Sequence, residues 1–226
     1  MAHRRRIIAE QLRSGDRLTR AMAGIGMRFA VTAERDPNIE DTLVAASIEG
    51  MERGDLRTLS LFTTWIGIHR RWINVDRLTR AVMDLTVPRT RAFWSAVASW
   101  SASDRRFARM ARLHSGPPID LLTVGTDFQI KRRGEDPRFE GSCRRVPAGV
   151  LRDRPSDVDP PGEISRTHTA FRRRVLMGPS YRADMWSALE RNPLLSAAAL
   201  AREGYGSFAT AWQVKGDFAI LESAEP

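Results

Sequence analysis

Residues 181–221 read YRADMWSALERNPLLSAAALAREGYGSFATAWQVKGDFAIL and divide into three short helical pieces. These are Tyr181 to Arg191, Ala197 to Glu203, and Phe208 to about Leu221, and each has a visible start. Ser180, Ser196 and Ser207 stand at N-cap positions, where a hydroxyl accepts one of the unpaired amides of a first turn. Asn192-Pro193 breaks the first piece, and Gly204-Tyr205-Gly206 turns the chain before the third. At about 100° per residue, Phe208, Ala211, Trp212 and Lys215 share one flank of the third helix. With Val214 and Phe218, that flank is expected to bury against Trp186 and Leu189. Ser207, Ala209, Thr210, Gln213 and Gly216 lie nearer the opposite side.

Helical spacing continues upstream. Ile7, Ile8 and Leu12, then Leu18, Met22, Ile25 and Phe29, form stripes on either side of Ser14-Gly15-Asp16. Gly24 and Gly26 make a GxG fragment with no strand before it, which reads as close helix packing and not as a nucleotide-binding loop. From Asn38 to Gly116 about five amphipathic helices follow, opened by Asn38, Asp55, Asn74, Pro88 and Ser103 or Asp104. Their short joints predict a bundle or stack of antiparallel neighbours. After Gly116-Pro117-Pro118, the runs Leu121–Val124 and Phe128–Lys131 suggest a small hairpin. Residues 132–162 carry five prolines, Pro137, Pro147, Pro155, Pro160 and Pro161, and read as a surface loop. A last helical region begins near Pro161 and is stopped by Gly178-Pro179. The expected fold is all-α with room for one small β-hairpin: a helical bundle over 1–116, a loop-rich connector over 117–162 and a C-terminal helical unit over 163–226.

The C-terminal pattern resembles bacterial helix-turn-helix transcriptional regulators, over about forty residues, through Leu200-Ala201, five residues, and Ser207-Phe208-Ala209-Thr210-Ala211. In that family the Leu-Ala pair packs the second helix, the Ser caps the recognition helix, and the Thr faces outward on its first turn. The resemblance implies that Ser207, Thr210, Gln213 and Lys215 face a DNA groove, with Arg202 beside them. Family members usually place an apolar residue, a Gly and another apolar residue where this chain has Gly204, Tyr205 and Gly206. Double-stranded DNA is the expected partner and a homodimer the expected state. A looser likeness to antitoxin-type regulators adds a protein partner such as a toxin. The alternative is an interaction subunit, an antitoxin or assembly adaptor, whose helix-turn-helix is structural.

Charge divides unevenly. The chain has 36 Lys and Arg against 27 Asp and Glu, a net charge of +9, and only Lys131 and Lys215 are lysines. Arginine suits bidentate phosphate contacts, though a GC-rich genome produces the same bias. Residues 181–226 hold four basic and six acidic residues, net −2, whereas residues 1–35 (eight Arg, three acids) and 87–135 (nine basic, four acids) are each +5. DNA binding therefore requires cations from elsewhere, with Arg4, Arg5 and Arg6 as candidates for phosphate. Arg70, Arg71 and Trp72, at a helix end, form a second candidate partner-binding edge, while Trp65, Trp94 and Trp100 fit apolar stripes.

No enzyme signature appears. His3, His69, His114 and His168 are scattered without metal-ligand spacing, and Cys143 is the single cysteine. Glu40-Asp41 sits at a helix start, where carboxylates favour the dipole, and Asp153, Asp157 and Asp159 fall in the Pro-rich loop. No GxSxG, P-loop or Cys-His motif is present. The reading is a non-enzymatic, cofactor-free regulator of a bacterial cytoplasm, with no signal-peptide core after Arg4-Arg5-Arg6 and no apolar run of the roughly 20 residues that spans a bilayer.

Overall fold

The capping residues set the helix boundaries. In the computed structural model, which describes residues 6–223, Asn38 Oδ1 accepts the Asp41 amide at the start of α2 (Ile39–Glu52). Asp55 accepts the Arg57 and Thr58 amides at α3 (Leu56–His69), and Asn74 accepts the Arg77 amide at α4 (Val75–Met83). Pro88 opens α5 (Pro88–Trp100), where its missing N–H costs nothing. The fold is all-α, with a two-residue strand pair added.

Helix α2 is the hub, packing on α1 (Gly15–Gly24), α3, α4 and α5. Its sequence IEDTLVAASIEGME is apolar or small on nearly every side, so nearly every side can be buried. Gly50 permits the closest approach: a Cβ there would stand 2.4 Å from Leu59 Cγ. Trp65 and Trp94 are fully buried. Each indole N–H is satisfied, Trp65 by the Ile25 carbonyl at 2.8 Å and Trp94 by Ser47 Oγ at 2.9 Å. Gly24 and Gly26 are likewise packing residues, since side chains there would strike Pro37 and Ile164.

Three local expectations are corrected. Residues 6–14 are not helical, although Ile7 is buried and Ile8 and Leu12 pack on the core. The helix expected from Ser103 or Asp104 is replaced by two short 3-10 turns, Arg105–Phe107 and Met110–Arg112. Arg106 grips the Asp104 carboxylate and the carbonyls of Arg70, Arg71 and Ile73, and the Ser95 hydroxyl donates to the Ala111 carbonyl. Those tertiary bonds pin the segment in its tighter form. The hairpin is absent because Thr126–Arg133 is a helix, α6, with Asp127 in its first turn and Lys131, Arg132 and Arg133 in its last, the polarity a helix dipole favours. The strands are instead β1 (Ile119–Asp120) and β2 (Arg144–Arg145), paired parallel.

The connector is stitched into the bundle and is not a free linker. Phe139, Val146, Leu151 and Val158 belong to the same hydrophobic core as α2, α3 and α5. The Arg28 amide donates to the Asp157 carbonyl and the Asp159 amide to the Gly26 carbonyl, at 2.8 and 2.7 Å. The chain continues through α7 (Pro161–Thr167) and α8 (Thr169–Met177) to α9 (Tyr181–Arg191), α10 (Ala197–Glu203) and α11 (Phe208–Glu222).

Two buried histidines fasten these late segments to the bundle. His69 Nε2 donates to the Asp159 carbonyl at 3.0 Å, and His168 Nε2 to the Pro37 carbonyl at 2.9 Å while its Nδ1 accepts the Phe171 amide. Burial pushes the His69 imidazole down to about 4 against the opposing pull of Asp159, and burial lowers His168 as well. An unfolded chain takes up these protons near pH 6.5 and the fold refuses them, so stability is full above about pH 6.5 and declines as pH falls toward 4. Denaturant midpoints measured from pH 7.5 to 4.5 should fall across that window, and the His69→Gln variant should show a shallower fall. Gly50→Ala gains helix propensity yet overpacks Leu59; thermal unfolding should show a net loss of about 1–3 kcal/mol.

Candidate functional site

Helices α9, α10 and α11 pack on one another around their own small core, Met185, Trp186, Leu189, Leu200, Ala211, Val214 and Phe218 among them. Ser180, Ser196 and Ser207 cap them, accepting the Ala183, Ala199 and Thr210 amides. Trp186 and Phe218 meet edge to face at 5.3 Å. Side chains at Gly204 or Gly206 would come within 2.7 and 2.4 Å of Met185, so at both places the Met185 side chain takes the room that a Cβ would need. Sequence and structure thus agree on three short helices with these starts.

The residues expected to read DNA stand in different surroundings. Ser207 Oγ is occupied as a cap and bonds the Thr210 hydroxyl at 2.7 Å. Thr210 is half-buried and lines, with Ser207, Arg80, Arg109 and Tyr181, a cleft of about 640 Å3 between α11 and the bundle. Lys215 Nζ donates to the Leu195 carbonyl, which ties α11 to the turn before α10. Gln213 and Arg202 are exposed; Arg202 lines a different cavity, of about 400 Å3, beside Arg17 and Tyr205.

The outward face of α11 corrects the expected flank. Ala211, Val214 and Phe218 fill the core, which rotates Phe208 and Trp212 to the surface at 52% and 67% exposure, with Ile220 at 65%. Together with Ala209, Gly216 and Ala219 they make one continuous apolar arc, roughly opposite the buried one. It carries no ionised side chain: Arg182 and Asp217 pair with each other to one side of it, and Lys215 is folded back. An exposed apolar arc opposite the buried one is ordinarily a surface that something else covers.

Of the cationic candidates, Arg4 and Arg5 lie outside the described residues, and Arg6 is exposed and paired with Glu10 at 2.8 Å. Trp72 is not part of an open edge. Its ring packs on Phe171 at 5.3 Å and its carbonyl accepts from Arg174 at 3.2 Å, leaving Arg71 exposed and Arg70 half-buried.

Missed from the sequence was a buried ion network joining this unit to the bundle. Glu40 is fully buried and takes both ends of the Arg174 guanidinium at 2.6 and 2.8 Å. Arg174 also grips Asp184 through Nε and Nη2 at 2.7 and 3.0 Å, linking α2, α8 and α9. Arg77, on α4, pairs with Glu40 at 3.2 Å and Asp41 at 2.7 Å. Tyr205, from the α10–α11 turn, donates to Asp41 at 3.0 Å and lies under the Arg77 guanidinium, 3.9 Å from its ring centre. Burial alone would raise the Glu40 carboxyl; the charges of Arg174 and Arg77 and the Asn74 amide hold it below its ordinary value. Glu40-Asp41 was visible as a pair, but only as helix-dipole residues, because nothing in the helical spacing marks Arg77 or Arg174 as inward-facing.

Comparison with protein-family models, curated proteins and solved structures gives no match. Among the described residues no group of three or more His, Cys, Asp or Glu side chains is placed to hold a metal ion, and no helix is long and apolar enough to cross a membrane.

Glu40→Gln leaves Arg77 and Arg174 buried with less charge than they need and should cost about 3–5 kcal/mol in chemical denaturation. Tyr205→Phe keeps the ring under Arg77 and loses only one hydrogen bond to a carboxylate, about 1.5–3 kcal/mol. Equal costs for the two would contradict the network's central role.

Proposed function

We propose that the protein is a non-enzymatic interaction subunit whose helix-turn-helix presents the outer face of α11 to another protein. The observation that carries this reading is the exposure of Phe208, Trp212 and Ile220 where a recognition helix would meet a groove. Phosphate neutralisation supplies most of the affinity of a DNA-binding module, and this face offers no free cation. Exposed aromatic side chains on a neutral, rigid helix are instead the anchors of protein interfaces. The docked position of the unit, fixed by the Glu40–Arg174 network, pre-orders that face and lowers the cost of binding.

One observation favours DNA as a second reading. Arg80 and Arg109 line the cleft that Ser207 and Thr210 also line, so cations stand at the N-terminal end of α11. Arg80 is already paired with Asp76 at 3.2 Å, and Asp84 lines the same cleft.

The two readings separate in one set of proteins. Duplex DNA, both the fragment upstream of the coding sequence and an unrelated one, should not bind at physiological salt. Affinity capture should recover a partner with wild type and with Arg80→Ala/Arg109→Ala, and lose it with Phe208→Ser/Trp212→Ser. Sequence-preferring duplex binding that Thr210→Ala/Gln213→Ala removes and Trp212→Ser leaves intact would overturn the proposal in favour of a DNA-binding regulator.

A further inference from the structure

We infer that the partner held on α11 is a second copy of this chain, packed antiparallel across a two-fold axis level with residue 214; this rests on the reading of α11 as a protein-docking face. A two-fold contact must be self-complementary, because where residue i of one copy meets residue j of the other, j of the first also meets i of the second. Across an axis level with residue 214, Trp212 of one copy lies opposite Gly216 of the other. Ala209 then lies opposite Ala219, and Phe208 and Ile220 fall level with each other at the two edges of the face. The largest side chain on the face therefore meets the one position without a side chain, and the medium and small positions match in the same register.

Gly216 strengthens the assignment. It sits inside a 15-residue helix, where glycine weakens the backbone relative to alanine. Nothing among the described residues explains it: none of their atoms lies within 4 Å of where its Cβ would be, and its φ is not in the left-handed region. Gly24, Gly50, Gly204 and Gly206 each face a neighbouring atom that a Cβ would strike, and Gly162, which shares the open space and ordinary φ of Gly216, stands in the first turn of α7 and not inside a helix. The open space beside Gly216 accommodates a Trp212 ring from another molecule.

Charge agrees with a self-contact. The arc carries no ionised group to be repelled by its own image, and the nearest one, Lys215, falls opposite the neutral Gln213 of the other copy. With Phe208 at 52%, Trp212 at 67% and Ile220 at 65% exposure, the pair would bury in total roughly 800–1,000 Å2, at the low end for specific complexes. The dimer should therefore be weak and concentration-dependent.

Sedimentation velocity on the full chain, across roughly 1–100 µM, should show wild type passing from monomer toward dimer. Gly216→Trp and Trp212→Gly should each weaken association at least tenfold, the first by collision and the second by loss of the knob. The exchange Trp212→Gly/Gly216→Trp restores one large and one absent side chain at each crossing, and should recover dimerisation to within a few-fold of wild type. Circular dichroism and thermal melting of the three variants check that α11 remains folded; Gly216→Leu, which strengthens the helix and fills the same space, serves where Gly216→Trp does not fold. A wild type that stays monomeric throughout overturns self-association alone, since docking of a different protein is decided by the capture experiment. Association indifferent to Gly216→Leu, or an exchange variant no better than the single ones, overturns the antiparallel register.

Discussion

The pairing of Glu40 with Arg174 is the contact on which the arrangement of the molecule depends. Glu40 stands in the first turn of the hub helix α2, and the guanidinium that reaches it comes from α8, 134 residues later in the chain. One ion pair thereby joins the first long helix to the segment that introduces the C-terminal unit. Burying these groups is expensive, and Coulomb attraction repays the cost only where geometry is good and the remaining lone pairs and N–H groups are used. Here they are used: Arg174 spends its donors on two carboxylates and the Trp72 carbonyl, and Glu40 takes the Asn74 amide and Arg77 besides. Counting Arg77 and Arg174 against Glu40, Asp41 and Asp184, the network holds two positive and three negative groups. The Tyr205 hydroxyl and the Arg77–Asn38 bond supply further polar contacts around that excess negative charge.

A network of this kind specifies position more than it adds stability. An apolar contact between bundle and helix-turn-helix would tolerate sliding; two bidentate arginine clamps do not. Tyr205 shows the cost accepted for that precision. It holds a left-handed backbone, φ 53°, unfavourable for a residue with a side chain, between two glycines that admit the Met185 side chain. Its ring and hydroxyl close the network over Arg77 and Asp41. The Gly204-Tyr205-Gly206 sequence thus has a local physical reason: the turn is a contact with the bundle as well as a bend between helices.

What was legible in the sequence was what depends on neighbours along the chain. Asn38, Asp55, Asn74, Ser180, Ser196 and Ser207 mark helix starts through bonds that span two or three residues, and all six form. The apolar spacing of α3, α4 and α5 likewise placed Trp65, Trp94, Leu78 and Val82 in the core. What failed depends on partners distant in sequence. Phe128 and Ile130 looked strand-like because the dipole-matching charges around them carry little weight in a short window. Phe107 and Met110 sit at helical spacing, yet Arg106 bonds three carbonyls more than thirty residues away and holds the segment in 3-10 turns. The Pro-rich composition of 132–162 correctly denied long regular elements there, but composition is silent on whether an irregular chain is buried; Phe139 and Val146 show that this one is.

The outward face of α11 was misjudged for a related reason, and the correction changes what the unit is suited to do. A helix with two apolar arcs has no periodic signal to say which of them enters its core. The periodicity allowed Phe208 and Trp212 to be core residues as readily as Ala211 and Phe218. The choice is made by the packing of α11 on α9 and α10, in which Ala211, Val214 and Phe218 join Met185 in the shared core. Large side chains excluded from so small a core must face water or a partner, and water is the costlier neighbour for an indole and a phenyl ring. Because the network sets how this unit sits on the bundle, it also sets where those rings point. A substitution at Glu40 should therefore disturb association through α11 without touching the interface, whereas one at Gly216 should disturb association without touching the fold.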